Sequence, residues 1–432
     1  MPAALTSNMT ESLFVLTLGL LFLAPLAIAG VALINTGLGR SRSAAQALVG
    51  NLSILAVAVL VFALIGATLE GNISASAAGL SFQMAGNNWG WVGTAPFLFG
   101  GIGSAPSQTQ LGLLFELLAV ALAAMLPWGS GADRLRLTAG CAATAVLSAL
   151  VFPLTAHWSW GGGWLSQLGI NFGLGAGFLD GGGAASVHAL GGLSALAVVW
   201  IAGSRKGKFP KEGLSTALPG HNAVYVLFGG LLALVGWLAW NVAGAILFLH
   251  APLSSLVVTA INTLLCASAA IAATFIVTSI RFGKPDASLC ANGWMTGLVA
   301  STACAGLVTP GQALFVGLIA GIITPLLVEV LELALSIDDP SGAISVHAVG
   351  GLWGLLAVGI FAGQPGQLVA QLVGIATLLG LVFPLVYLLF ALLNRFVPFR
   401  VDPDGERLGM DLHELGGGAY PEFVIHRDES YR

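Results

Sequence analysis

Charge is what this sequence has least of. Lys, Arg, Asp and Glu make up 8% of the 432 residues, against 57% hydrophobic, whereas a soluble domain carries about 25% charged residues. So few charges cannot wet the exterior of a soluble fold, and the bilayer is the natural solvent for the excess apolar surface. Mean hydropathy is +0.93. Cysteine is scarce as well. Cys141, Cys266, Cys290 and Cys304 show no CxxC spacing and lie in or beside apolar stretches. That argues against a disulfide framework or a cysteine metal site, and the four are read as small packing residues. No Lys or Arg occurs up to Leu13, so the charged region of a secretory signal is missing and the first apolar stretch is read as a retained span. Glycine, by contrast, is abundant at 59 residues. In membranes, small residues let helices approach closely.

A span needs about 20 mostly apolar residues. Eleven candidates run near 13–35, 45–67, 111–127, 137–156, 182–203, 222–249, 255–280, 289–309, 312–335, 347–363 and 366–394, the third and tenth short for a full crossing. The 15 basic residues fall after spans one, three, five, seven and eleven, and none after an even-numbered span. Cytoplasmic loops are enriched in Lys and Arg, so this alternation sets the N-terminus outside and the C-terminus inside. The expected organisation is an all-α membrane domain over residues 1–395 and a polar cytoplasmic tail over 396–432. Residues 68–110 and 157–181 read as long outer loops.

A segment repeats. Residues 180–196 read DGGGAASVHALGGLSAL and residues 339–355 read DPSGAISVHAVGGLWGL, identical at 11 of 17 positions. The copies open spans five and ten. An odd number of spans separates them, so they cross in opposite senses. This is the mark of an inverted repeat, spans 1–5 against 6–10, with a transport path near the midplane of the repeat interface. His188 and His347 each stand eight residues after an Asp, about 12 Å along a helix. Ionisable groups at that depth are costly and face the bundle interior or a cavity. A lone histidine often just bonds a carbonyl; two at matched repeat positions point to a shared path. Asp180 and Asp339 precede the apolar runs, where an Asp caps helix N–H groups. Structural capping is the reading favoured for both over substrate binding.

These segments resemble the Amt/Mep/Rh ammonium transporter family, as a divergent bacterial-type member. The resemblance rests on the Asp180–x7–His188 spacing, IDDPSGAISVHAVGG at 337–351, WGGGW at 160–164, IAGVALINTGLGRSRS at 28–43, AGSRKGK at 202–208, GWLAWNVAG at 236–244 and GMDLHELGGGAYPEF at 409–423. It implies a multi-pass protein of the cell inner (plasma) membrane, a homotrimer with one hydrophobic pore per subunit, and twin histidines sharing a hydrogen bond in each pore. Ammonium would pay a large desolvation cost in a dry pore. Two neutral imidazoles can take and pass a proton while ammonia moves as a neutral species.

The same resemblance places an outer substrate site at Phe115, Trp160 and Trp240. An indole face attracts a cation by about 0.5–2 kcal/mol; an interface-belt Trp is the plainer reading. The family's two stacked gate phenylalanines fall on Ala119 and Trp240, and its small outer hydroxyl residue falls near Gly244. The paired gate is therefore expected to be missing. Either one indole fills the volume of two rings, or the path is altered. Glu116 replaces a common Gln. It is either a vestibule acid that concentrates cations or a bonding partner for backbone near a helix end. His157, His250, His413 and His426 are read as wetted and incidental, and His221, with Asn222, as a cap or loop residue at the start of span six. Relatives imply a PII-type regulator docking on the cytoplasmic face, and subunit coupling through Gly409 and Asp411.

Three functions compete: conduction of ammonium or ammonia, a membrane sensor that binds ammonium without flux, and an Rh-type channel for neutral gas. An enzyme is the weakest option, because no HExxH-like spacing or third ligand accompanies the histidines. No metal, cofactor or nucleic-acid partner is expected.

Overall fold

The computed structural model describes residues 9–71, 79–211 and 215–420. Long runs of Leu, Ala, Val and Ile satisfy every backbone group within one helix, which is what a bilayer demands. Among the described residues, ten helices are long and apolar enough to cross a membrane: α1 (Glu11–Leu38), α2 (Ser41–Glu70), α3 (Ser107–Ser130), α4 (Leu137–Ser159), α5 (Ala184–Ala202), α6 (Ala223–Phe248), α7 (Leu253–Phe282), α9 (Pro310–Ala334), α10 (Ile344–Phe361) and α11 (Gln367–Asn394). Between α7 and α9 lies α8 (Ala287–Cys304). It carries Asn292, Thr296, Ser301 and Thr302 and is almost wholly buried. Its polar side chains face helices, not lipid.

All eleven expected stretches fall on helices. The third was expected to be short but runs through all 24 residues of Ser107–Ser130; polar ends concealed its length. Helix α1 contains a junction at Ala24–Pro25, where Pro25 opens the second segment and its missing N–H breaks one rung of the ladder. Cys266, Cys290 and Cys304 are buried, and Cys141 is half-buried.

The stretch 68–110 is not simply a loop. It contains a hairpin of β1 (Leu80–Met84) and β2 (Asn87–Val92), with Phe82 opposite Trp89. The turn residues Ala85 and Gly86 both have positive φ, 52° and 77°, as a two-residue turn matched to strand twist requires. The hairpin rests on the end of α4: Trp158 Nε1 donates to the Trp91 carbonyl at 2.8 Å.

Helices α5 and α10 cross at the centre. Each opens with a π-helical turn, Ala184–Ala189 and Ile344–Val349, a form that recurs at functional sites. Their contact is reciprocal. A Cβ on Gly192 would stand 2.2 Å from Ala348 N, and one on Gly351 would stand 2.5 Å from Ala184 O. Only glycine lets the two backbones come this close.

The end of the bundle that carries the basic loops is tied by a buried ionic network. Arg205 bonds both carboxylate oxygens of Asp338 at 2.9 Å and reaches Asp133 at 3.1 Å. Arg134 donates to the Asp338 carbonyl at 2.7 Å and the Gly203 carbonyl at 2.6 Å. Arg40 approaches Asp133 at 3.5 Å. Burial alone would push the Asp338 carboxyl up, but the hydrogen bonds from Arg205 and the charges of Arg134 and Arg205 hold it below its usual value. Burial pushes Arg134 down to about 10. The chain after α11 folds back over this end through a short helix, α12 (Pro403–Leu408). There Asp411 accepts from the Ala45 and Gln46 amides at 3.1 and 2.7 Å.

Candidate functional site

The π-helical turns of α5 and α10 bring the two histidines together. His188 is 0% exposed and His347 5%, and their Nδ1 atoms are 3.2 Å apart. One nitrogen must donate and the other accept, so the two rings hold opposite tautomers when neutral. The rings are offset, with centroids 5.2 Å apart. The Trp237 ring stacks on His188 at 5.2 Å and 15°, and its Nε1 is fixed by a 2.9 Å bond to Thr302 Oγ1 on α8.

Helix α6 builds a ladder above the pair, toward the end that carries the hairpin. Residues three or four apart share a helix face, and Trp237, Trp240, Gly244 and Phe248 follow that spacing. The eleven residue steps from Trp237 to Phe248 rise about 16 Å. Phe248 stacks on Trp160 at 4.3 Å and 12°. Trp240 packs on Phe115 at 4.5 Å, and Phe115 meets Trp160 edge-on at 5.9 Å. All four are aromatic, and Phe115 and Trp240 are 0% and 1% exposed.

The turn that starts α5 closes this layer from the side. Asp180 accepts from the amides of Gly183, Ala185 and Ser186 at 2.9, 3.2 and 3.0 Å, and from Ser186 Oγ at 3.0 Å. Those amides would otherwise be orphaned at the helix start. With the turn so held, its carbonyls face the aromatics. Trp160 Nε1 donates to the Asp180 carbonyl at 2.7 Å, and Trp240 Nε1 to the Gly182 carbonyl at 2.7 Å. The matching Asp339 accepts from the Ile344 amide at 2.8 Å and from Ser130 Oγ at 2.7 Å.

The sequence singled out several residues that the structure places elsewhere. Ala119 is buried one turn along α3 from Phe115, so Phe115 itself is the ring that meets Trp240. At Gly244, a Cβ would stand 2.4 Å from the Gly181 carbonyl oxygen; the backbone turn fills the space that a hydroxyl side chain would need. Glu116 is 1% exposed and stands more than two turns inside α3, away from the ends of its own helix. The reading of His157 as wetted is corrected: it is 7% exposed, with Nδ1 2.7 Å from the Glu70 carbonyl oxygen, because the hairpin covers it. His413 packs beside Gly405 and stands 3.4 Å from Asp402. His250 is exposed, near Gln108 at 3.4 Å. His221 bridges the Gly39 carbonyl and Tyr420 Oη, and Asn222 caps α6 through the Tyr225 amide. His426 lies outside the described residues.

Trp237, Phe248 and the Gly182 carbonyl were not anticipated. The two side chains carried a usable signal, since each lies one or two turns from Trp240 on one face of α6. The carbonyl carried none.

The site can therefore pass a proton between two buried imidazoles, beneath an aromatic layer hydrogen-bonded to a backbone turn. Comparison with known proteins agrees with a transport class. Over residues 13–420 the chain matches the model of the Ammonium Transporter Family. It is 35% identical to ammonium transporter Amt2 of Archaeoglobus fulgidus, covering 94% of this chain and 88% of that one. It is 30% identical to an ammonium transporter of Bacillus subtilis, covering 91% and 94%. Among solved structures it resembles a sensor Amt protein, with a TM-score of 0.84, 27% identity and coverage of 93% and 98%. The fold also matches Mep2 of Candida albicans, with a TM-score of 0.78, 23% identity and coverage of 96% and 92%. The chain is a multi-pass membrane protein that belongs to the Ammonium Transporter Family.

Proposed function

We propose that this protein moves ammonium nitrogen across the plasma membrane along a path through His188 and His347. The observation that carries the reading is the 3.2 Å contact between two buried Nδ1 atoms. A buried imidazole pair has a physical use only if a proton or a donor passes along it, because a permanent charge there would be costly. Ammonium gives up a proton to the pair, the two imidazoles relay that proton inward, and neutral ammonia crosses the apolar stretch, so one charge moves with each nitrogen. The wild-type site is built for this by Trp237, which fixes the His188 ring.

The wider frame is eleven spans in two inverted halves, with the basic loops and the tail inside. The 159-residue offset between matched positions and the reciprocal Gly192 and Gly351 contacts support it. Assembly as a homotrimer, and docking of a PII-type regulator on the cytoplasmic face, are part of the same proposal.

One observation favours a second reading, an ammonium sensor with little flux. Phe115, Trp160, Trp240 and Phe248 form a continuous closed layer, and one structural relative is described as a sensor. Charge transfer on a solid-supported membrane, after an ammonium jump on proteoliposomes, separates the two. Current in the wild type that is lost in His188→Ala and His347→Ala supports transport. Ammonium binding by calorimetry with no current supports sensing. Internal alkalinisation without current indicates passage of neutral gas.

A further inference from the structure

We propose that His157 is an acid-sensitive clasp for the β1–β2 hairpin, holding it on the end of α4 at neutral pH and releasing it when the ring is protonated. The clasp is separate from the path through His188 and His347. With the hairpin end outward, as proposed above, the pH it senses is that of the external medium.

The tautomer of the ring comes first. His157 Nδ1 lies 2.7 Å from the Glu70 carbonyl oxygen. A carbonyl accepts, so Nδ1 carries the hydrogen and Nε2 holds the lone pair of the neutral ring. Nε2 is closed off from solvent and has no hydrogen-bond partner among the described residues. A neutral nitrogen there forgoes one bond. Protonation puts a hydrogen on Nε2 and a charge on the ring, and a buried charge with an unpaired donor costs far more. What faces Nε2 is glycine and a second donor. A Cβ on Gly161 would stand 2.9 Å from Nδ1, one on Gly163 2.8 Å from Cδ2, and one on Gly90 3.5 Å from Nε2. That last point is also 3.4 Å from Gln167 Nε2, because Gln167 Oε1 is turned to the Gly90 amide at 2.9 Å.

The same glycine fastens the hairpin. The Gly90 amide donates to Gln167, and the Gly90 carbonyl accepts from the Trp164 amide at 2.8 Å. Lifting β2 therefore breaks these bonds and wets Nε2 in one movement. The docked hairpin and the charged ring exclude each other. No other group of the cap competes for this role: residues 71–110 and 158–179 contain no Asp, Glu, Lys, Arg, His, Cys or Tyr. The neighbouring helices carry Glu70 on α2, Glu116 on α3, and Asp180 and His188 at the start of α5. Glu70 meets the ring through its backbone carbonyl. Ser159, which bonds Ser186 of α5 at 2.9 Å, lies about 200° round the helix from His157, so the α5 groups stand on the far face. A wetted imidazole titrates near 6.5, and acid below that value favours the released hairpin.

The test is hydrogen–deuterium exchange on the full-length protein in detergent, read as protection of residues 87–93 and 160–167 after correction for intrinsic exchange. Between about pH 7.5 and 5.5 the wild type is expected to lose protection there about tenfold by linkage to one proton, while residues 190–200 stay constant. His157→Asn keeps an N–H for the Glu70 carbonyl and does not titrate, so its protection is expected to be equal at both pH values. Gly90→Ser leaves His157 in place and sets a hydroxyl oxygen beside Nε2 to accept its hydrogen, so protection is expected to survive at the lower pH. Equal protection at both pH values in the wild type overturns the clasp, and so does an acid loss in His157→Asn as large as in the wild type. Where the hairpin of His157→Asn is already released at the higher pH, Gly90→Ser decides, and a full acid loss in that variant overturns the clasp. The readout needs neither flux nor a defined side of the membrane, so failure of the transport reading leaves the clasp standing.

Discussion

His347 and His188 meet through their Nδ1 atoms at 3.2 Å, with no room for water between those nitrogens. The contact lies at the point where α5 and α10 cross. Removing either ring leaves the other with a buried Nδ1 and no partner, so the two should act as a unit.

The first prediction follows from that unity. Groups that act together give grossly non-additive losses. His188→Ala and His347→Ala are each expected to lower ammonium-evoked charge transfer on the order of 100-fold, a typical worth for positioned proton transfer. The double variant is expected to fall no further. Independent, multiplying losses in proteoliposome currents would show that the rings work separately.

The second concerns the ionic network. Asp338 is 3% exposed and bonded twice by the Arg205 guanidinium and once by the Arg205 amide. Asp338→Asn takes the charge partner from Arg134 and leaves Arg205 with Asp133 alone, and breaking a buried pair costs about 3–5 kcal/mol. The thermal midpoint in detergent should drop accordingly. The pH dependence has a definite sign. The folded carboxyl is held below its usual value, so its stabilisation is present above the unfolded pKa of about 3.9 and is lost as pH falls through the lowered folded value. The wild-type midpoint should decline below about pH 4, and the Asp338→Asn curve should be flatter there. Parallel curves would sink the assignment.

Much of this was legible in the sequence. The helices were, because a bilayer tolerates only long apolar runs, and the pairing of His188 with His347 was, because a repeat displays it. The hairpin was hidden in a stretch rich in Gly, Ser and Asn, where Ala85–Gly86 is a weak turn signal. The burial of His157 depends on that hairpin and was hidden with it. The aromatic closure was half legible. Trp240 was visible as a departure from a phenylalanine pair, but its partner Phe115 comes from a residue four positions from the one aligned with the gate. The acceptor on Gly182 is backbone, which carries no residue signature.

The third prediction tests the crossing. Gly192 and Gly351 lie where a Cβ would meet Ala348 N at 2.2 Å and Ala184 O at 2.5 Å. Both obstacles are backbone and cannot turn away. Overpacking a tight core costs about 1–3 kcal/mol. Gly192→Ala is therefore expected to lower the thermal midpoint, and also to abolish current, since the Nδ1 contact cannot survive a shift of α5 from α10. A variant with wild-type current would show that the helices can separate without harm.

The last prediction concerns the tail. Ser43, ahead of the α-helical part of α2, makes no capping bond of its own. The cap comes instead from Asp411, 1% exposed, which accepts from the Ala45 and Gln46 amides. Glu414 does the same for α4, with both oxygens 3.1 Å from the Leu137 amide. Two helix starts are thus completed by one segment more than 270 residues away in sequence. Loss of a cap costs about 1 kcal/mol, so Asp411→Ala should speed amide exchange in the first turns of α2 roughly fivefold, readable by hydrogen–deuterium exchange of residues 44–50. Removal of the chain after residue 400 should expose both helix starts, α2 and α4, whereas Asp411→Ala should expose α2 far more than α4. Equal protection of α2 in the wild type and Asp411→Ala would mean that water caps the helix as well as the tail does, and the tail would then have no hold on α2.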